Sequence, residues 1–302
     1  MNHVDLSERV AIVTGAGGGL GRSHALVLAG QGAAVVVNDL GIDAEGHGAG
    51  DRSAADGVVD EIRSLGGTAI AHHGTVDSVE GAESIVEAAI HAWGRLDIVV
   101  NNAGILRDST FAKLPADGFA DVVRVHLHGT ANVTRAAWPH FRKNSYGRIV
   151  NTAAGAGLYG NFGQSAYSAA KMAIVGLTRT LSIEGRQRNI AANVVAPMAA
   201  SRMTERIMTA ELLAKFRPEY TSAMVAFLAS DACEVSGQIF EVGGGYYSRV
   251  AIVQGGGVVF DDVPSPDDIA AALERIGDLT EIFEPKGSDD LMPRLLGKLG
   301  LS

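Results

Sequence analysis

Cysteine is almost absent: Cys233 is the single one in 302 residues, so no disulfide can form within the chain. The opening MNHVDLSERV holds no apolar run of the kind a signal peptide carries. Both features lead us to expect a reducing, cytoplasmic setting. No uninterrupted apolar stretch approaches the roughly 20 residues a membrane-crossing helix needs, so no membrane partner is expected. Positive charge is also scarce, 25 Lys and Arg against 34 Asp and Glu for a net −9, which opposes a nucleic-acid partner because phosphate backbones demand clustered cations. There are 8 prolines against 38 glycines, a ratio that suggests tight turns and close backbone approaches. With 47% hydrophobic residues and a mean hydropathy of +0.15, the chain can fill a sizeable core.

Short apolar runs alternate with helical spacing along most of the chain. Val10 to Val13, Ala34 to Val37, Ile98 to Val100, Arg148 to Asn151 and Ala191 to Val195 read as strands. Leu20 to Gln31, Val58 to Leu65, Ser78 to Trp93, Gly118 to Phe141 and Ala166 to Gln187 read as helices. Continuous Val and Ile runs between helices predict an α/β fold, a Rossmann-like doubly wound parallel sheet with helices on both faces. Gly41 to Ser53 is Gly-rich, charged and aperiodic, and reads as a surface loop. The character changes after Gly245, so residues 1–245 are expected to form the catalytic domain and 246–302 a C-terminal extension. In that extension Val250 to Val253 and Val258 to Phe260 read as short strands, and Asp267 to Ile276 and Asp289 to Leu299 as helices. There is no internal repeat.

Thr14-Gly15-Ala16-Gly17-Gly18-Gly19-Leu20-Gly21 falls between the first strand and the first helix, where a dinucleotide pyrophosphate would sit. Glycines admit the phosphate without Cβ obstruction, and free N–H groups at the helix start attract it. Gly15, Gly18, Gly19, Leu20 and Gly21 are therefore candidate cofactor residues. Asp39, at the end of the second strand, can accept hydrogen bonds from ribose hydroxyls and repel a 2′-phosphate, which favours NAD over NADP. After the third strand, Val76 and Asp77 are candidates for the adenine end; Asp77 suits equally the cap of the next helix. No metal is expected.

Tyr167 and Lys171, four residues apart in YSAAK, share a helix face. A phenol of reference pKa about 10 is protonated at neutral pH, and a nearby cation stabilises its phenolate, so the pair can shuttle a proton. YxxxK gains weight beside the glycine turn and Asn101-Asn102-Ala103-Gly104.

With TGxxxGxG, NNAG and YxxxK in this order over roughly residues 7 to 245, the sequence resembles the short-chain dehydrogenase/reductases. The resemblance implies that Tyr167 is the general acid/base, that Lys171 lowers its pKa and holds the nicotinamide ribose, and that Asn102, Ala103 and Gly104 belong to the cofactor site. The stretches VVVNDLG, NNAGILRDSTF, VHLHGT, LYGNFGQSAYSAAK, SIEGR, ASRMT, RPEY and FEVGGG resemble a narrower subgroup, the (3R)-hydroxyacyl-CoA dehydrogenase region of peroxisomal multifunctional enzyme type 2 and its bacterial relatives. That likeness implies an acyl-CoA substrate and a homodimer or homotetramer. It also implies an extension that shapes the substrate pocket of its own or a neighbouring subunit.

The sequence departs from the family pattern at three places. His126 stands where most members carry a catalytic asparagine, and it either supports a proton-relay water or packs. Pro197-Met198 replaces a proline-glycine pair and leaves the nicotinamide contacts unassigned, with Pro197 kept in the cofactor set. Ala154 occupies the position, thirteen before Tyr167, of a serine that hydrogen-bonds the substrate oxygen. Thr152 and Ser165 are the nearest other hydroxyls. Ala154 keeps open a dinucleotide-binding protein with weak or lost catalysis, and NNAGILRD keeps open a 3-oxoacyl-carrier-protein reductase or another alcohol or steroid dehydrogenase.

Overall fold

The computed structural model describes residues 4–43, 45–46, 51–198, 209, 211 and 215–301. They fall in two compact units, Met1–Arg249 and Val250–Ser302. The first contains the predicted alternation: strands β1 (Val10–Thr14), β2 (Ala34–Asn38), β3 (Thr68–His72), β4 (Ile98–Asn101), β5 (Gly147–Thr152), β6 (Ile190–Pro197) and β7 (Ile239–Gly243). A further strand, β8 (Tyr246–Val250), completes a sheet of order β3-β2-β1-β4-β5-β6-β7-β8. The strands from β3 through β7 pair in parallel. The chain winds outward from β1 to β3, then crosses to β4 on the other side of β1. That reversal opens a crevice at the carboxyl ends of β1 and β4, the place where open α/β sheets bind ligands.

The pleat sends alternate residues of each strand to opposite faces. Ala11, Val13, Val35 and Val37 pack with Ala25 and Leu28 of α1 (Gly19–Gly30), Val58 of α2 (Ser53–Ser64) and Val225 of α8 (Pro218–Leu228). Ile12, Val36 and Val99 pack with Ile85 of α3 (Val79–Trp93) and with Val133 and Phe141 of α5 (Gly129–Asn144). The long helix expected over Gly118 to Phe141 is divided: α4 (Ala116–Val123), one wide π turn over Arg124–His128, then α5. Two further helices, α6 (Gly155–Tyr159) and α7 (Ser165–Gly185), follow β5. The expected Gly41 to Ser53 loop extends to Arg52, since α2 begins at Ser53; residues 44 and 47–50 lie outside the described ones.

The end of the chain differs from the sequence reading. Gly244 and Gly245, both at positive φ (58° and 84°), make a two-residue turn after β7, so the strand expected at Val250 to Val253 forms earlier, over Tyr246–Val250. No strand forms at Val258 to Phe260; the nearby pairing is a single bridge between Gln254 and Phe283, followed by Gly255-Gly256-Gly257. The two expected helices are present as α9 (Pro266–Ile276) and α10 (Leu291–Lys298), the first held by a capping box between Ser265 and Asp268. No described helix is long and apolar enough to cross a membrane.

Candidate active site

The glycine turn lies at the mouth of the β1/β4 crevice and is braced from β4. Asn102 donates its side-chain amide to the carbonyls of Thr14 and Gly15, each at 3.0 Å. The Thr14 hydroxyl oxygen accepts the N–H groups of Asn102 and Ala103, each at 3.1 Å. A Cβ on Gly21 would lie 2.1 Å from the Gly15 carbonyl and 2.6 Å from the Asn102 amide nitrogen, so only glycine fits there. Gly18 begins α1 without any side-chain cap, and no acidic residue stands in the first turn. The N–H groups of that turn, around Gly19 and Leu20, are left for an anion. Asp39 follows β2 directly, and its carboxylate accepts Gly17 N–H and Gly41 N–H at 2.7 Å each. Asp39 thus holds the glycine turn from the end of β2, beside the uncapped start of α1.

After β3, the neighbour of β2, the capping role considered for Asp77 belongs to Ser78, whose hydroxyl accepts Gly81 N–H at 3.0 Å. Asp77 accepts the Thr75 hydroxyl at 2.5 Å and Arg124 Nε at 3.0 Å. Val76 is buried in the α3/α5 face, in contact range of Gly129. Pro197 is the last residue of β6, opposite Val242 of β7.

On α7, Lys171 is buried and donates its Nζ to the Thr152 carbonyl at 2.6 Å, with Nζ 5.5 Å from the centre of the Tyr167 ring. Burial pushes both groups toward neutrality. The Lys171 ammonium falls to about 7, and the Tyr167 phenol rises to about 12, Asp108 adding to the rise. The expected lowering of the phenol pKa by Lys171 is not among the causes of this shift, which are burial first and then Asp108. His126 lies on the π turn, with its ring edge-on to Tyr167 at 5.2 Å and 89°. Its Nε2 is 2.8 Å from the Ile105 carbonyl and 3.1 Å from Ile105 N–H, while Nδ1 is buried without a partner. Burial first, and then Lys171, lower the His126 pKa to about 3, so the ring is neutral. A Cβ on Gly104 would meet its Cε1 at 2.2 Å, which explains the glycine of NNAG.

Ala154 caps α6 in extended conformation and offers no side-chain hydrogen bond to it. A serine there would supply a helix cap. The buried hydroxyls of Thr152, Ser165 and Ser168 have no partner. Asn151 donates to Thr178 of α7 at 2.8 Å, so strand alternation turns the next residue, Thr152, to the opposite face of the sheet. Ser165 and Ser168 flank Tyr167 on α7; Ser168 was not singled out by the sequence because a serine inside a helix carries no pattern. The sequence reading also missed Thr14, and the buried chain Thr134–Asn101–Asn151–Thr178 (3.0, 2.8 and 2.8 Å) that ties β4 and β5 to α5 and α7. Among the described residues no group of three or more His, Cys, Asp or Glu is placed to hold a metal ion. The ASRMT stretch lies outside the described residues.

The family model described as short chain dehydrogenase matches residues 9–212. A chain from Mycobacterium tuberculosis named as a short-chain type dehydrogenase/reductase is 49% identical over 275 residues, 91% of this chain and 96% of that one. Mouse peroxisomal multifunctional enzyme type 2 is 47% identical over 281 residues, 92% of this chain and 38% of the mouse protein. The solved full-length peroxisomal multifunctional enzyme type 2 of Drosophila melanogaster superposes with a TM-score of 0.83 at 35% identity, covering 98% of this chain and 50% of that one. This chain thus spans half or less of these two multifunctional proteins. The family-model match over residues 9–212 and these likenesses place the chain in the short-chain dehydrogenase/reductase family of oxidoreductases.

Proposed function

We propose that the chain is an NAD-dependent 3-hydroxyacyl-CoA dehydrogenase. The observation that carries the reading is the cluster of Tyr167, Lys171 and neutral His126 at one end of a crevice whose other end holds the Asp39 carboxylate. Asp39 and the uncapped start of α1 would hold the adenosine ribose and the pyrophosphate, while Asn102, Ala103, Gly104, Pro197, Tyr167 and Lys171 would line the nicotinamide half. When bound, the nicotinamide accepts the hydride from the carbinol carbon.

Tyr167 holds a proton at neutral pH and is set to meet the substrate oxygen. Oxidation needs that oxygen to lose its proton, and Lys171, with a pKa of about 7, is present partly as the free amine that can receive it by way of the phenol. His126 fixes Ile105 through Nε2 and presents its unpartnered Nδ1 beside the pair as a second site for a hydrogen-bonded water. In the reverse direction the same phenol donates. The acyl-CoA substrate is supported by the likeness to the multifunctional enzymes rather than by a described pocket. On the same basis we assign a homodimer or homotetramer, and an acyl-CoA-shaping role for residues beyond Gly245. Cys233 is buried and unbridged, consistent with the reducing, cytoplasmic setting read from the sequence; the mouse relative is named for the peroxisome.

The test is turnover of a panel of 3-hydroxyacyl-CoAs with NAD and with NADP. Oxidation with NAD supports the reading. Preference for NADPH and a carrier-protein thioester would favour a 3-oxoacyl reductase. Cofactor binding without turnover on any substrate would favour the second reading, a dinucleotide-binding protein, for which Ala154 is the specific observation.

A further inference from the structure

In the second unit, the 254–259 segment, the end of α9 and α10 line an open cleft of about 300 Å³, at the lower end of small-ligand sites. Its walls include Val258, Ile276, Leu291 and Leu295, and the only charged side chains of its lining are Arg294 and Lys298, one turn apart on α10. Arg294 is held in place: Nη2 donates to the Gly255 carbonyl at 3.3 Å and the guanidinium lies over the Phe283 ring at 4.7 Å. Among the described residues neither cation has a carboxylate partner, although acidic residues outnumber basic ones 34 to 25. Lys298, the last residue of its helix, is accounted for by the helix dipole. Arg294, a turn earlier and partly buried, is not. A fixed guanidinium without a counter-ion, beside a half-exposed apolar cleft, has the complementarity of an anionic head group joined to an aliphatic chain.

The geometry points to a second ligand site here, for an amphiphilic carboxylate of the fatty-acid type, with the carboxylate on Arg294 and Lys298 and the chain along Ile276, Leu291 and Leu295. The proposal rests on no step of the dehydrogenase reading. Calorimetric titration of the full chain tests it, with decanoate, with decanol, which has the chain without the charge, and with coenzyme A, which has anionic phosphates without the acyl chain. Decanoate should bind, about tenfold or more tighter than decanol, and Arg294→Gln should weaken it by about tenfold or more, the range of one charge-assisted hydrogen bond. Arg294→Lys should keep part of that affinity, and Lys298→Gln should cost less than Arg294→Gln. If Arg294→Gln fails to fold, Arg294→Lys and Lys298→Gln carry the comparison. Absence of decanoate binding at millimolar concentration, equal binding of decanol, or affinity unchanged in every charge variant would overturn the proposal. Tighter binding of coenzyme A, lost in Arg294→Gln, would show a phosphate site and overturn the fatty-acid assignment.

Discussion

The imidazole of His126 stands perpendicular to the phenol ring of Tyr167, centroids 5.2 Å apart, while its Nε2 is bonded to the backbone of Ile105. The ring thus connects the turn after β4 to the proton-transfer helix. His126→Leu removes the Ile105 bond, a buried interaction worth about 1–3 kcal/mol of stability. It should also lower turnover by about tenfold or more and displace the pH profile of oxidation. His126→Asn, which can still bond Ile105, should recover most of the stability. Urea unfolding and a pH–rate series on both variants separate the two effects; an unaltered profile in His126→Leu would reduce the residue to packing.

Ala154 offers a sharper test. Charge builds on the substrate oxygen as hydride is transferred, so a donor placed there stabilises the transition state more than the ground state. Ala154→Ser should raise turnover by about tenfold or more, each factor of ten being about 1.4 kcal/mol, with NAD affinity unchanged. The new hydroxyl also caps α6, so a modest gain in melting temperature is expected. A fast parent enzyme with no gain from the serine would show that another group, such as Ser165 or Ser168, already donates.

Asp39 governs cofactor choice in this reading. Asp39→Ala removes the acceptor for Gly17 N–H and Gly41 N–H along with the ribose contacts. The Michaelis constant for NAD should rise by about tenfold, and the ratio of NAD to NADP efficiency should fall. Steady-state kinetics with both cofactors decide it, and unchanged selectivity would remove Asp39 from the site.

Acid should weaken the fold through His24. This residue is buried between α1 and α8 with Nδ1 2.8 Å from the Ser222 hydroxyl, and burial lowers its pKa to about 3. In the unfolded chain it titrates near 6.5, so between those values the unfolded state binds a proton that the folded state does not. Its contribution is complete above pH 6.5 and declines as pH falls toward 3, by about 1.4 kcal/mol per unit. His126, lowered equally, adds a second such slope. Denaturant unfolding between pH 6 and 4 should show a shallower dependence in His24→Leu than in the parent. Identical slopes would mean that His24 is hydrated or charged in the fold.

The parts legible in advance were those encoded by neighbours in sequence. Val10 to Val13 running into TGAGGGLG fixes a strand, a turn and a helix start within a dozen residues, and Tyr167 and Lys171 share a face because of helical spacing alone. Val258 to Phe260 shows the limit: an apolar run is not a strand without a partner edge, and the nearby pairing stops at the bridge between Gln254 and Phe283. Asp77 was readable as a cap or a contact but not as the partner of Arg124, which lies 47 residues away.

The sequence by itself determined the doubly wound sheet, the glycine turn and the shared helix face of Tyr167 and Lys171, because each depends on residue type at short spacing. Tertiary structure decided that Asn102 braces the glycine turn, that His126 bonds Ile105 and meets Tyr167 edge-on, and that Lys171 is anchored to the Thr152 carbonyl. It also set the direction of the titrations: only tertiary packing, of Tyr167 against Ile105 and α4 and of Lys171 against β5, shields the two groups from water, and desolvation, absent from any sequence pattern, makes the phenol a weaker acid and the amine a weaker base.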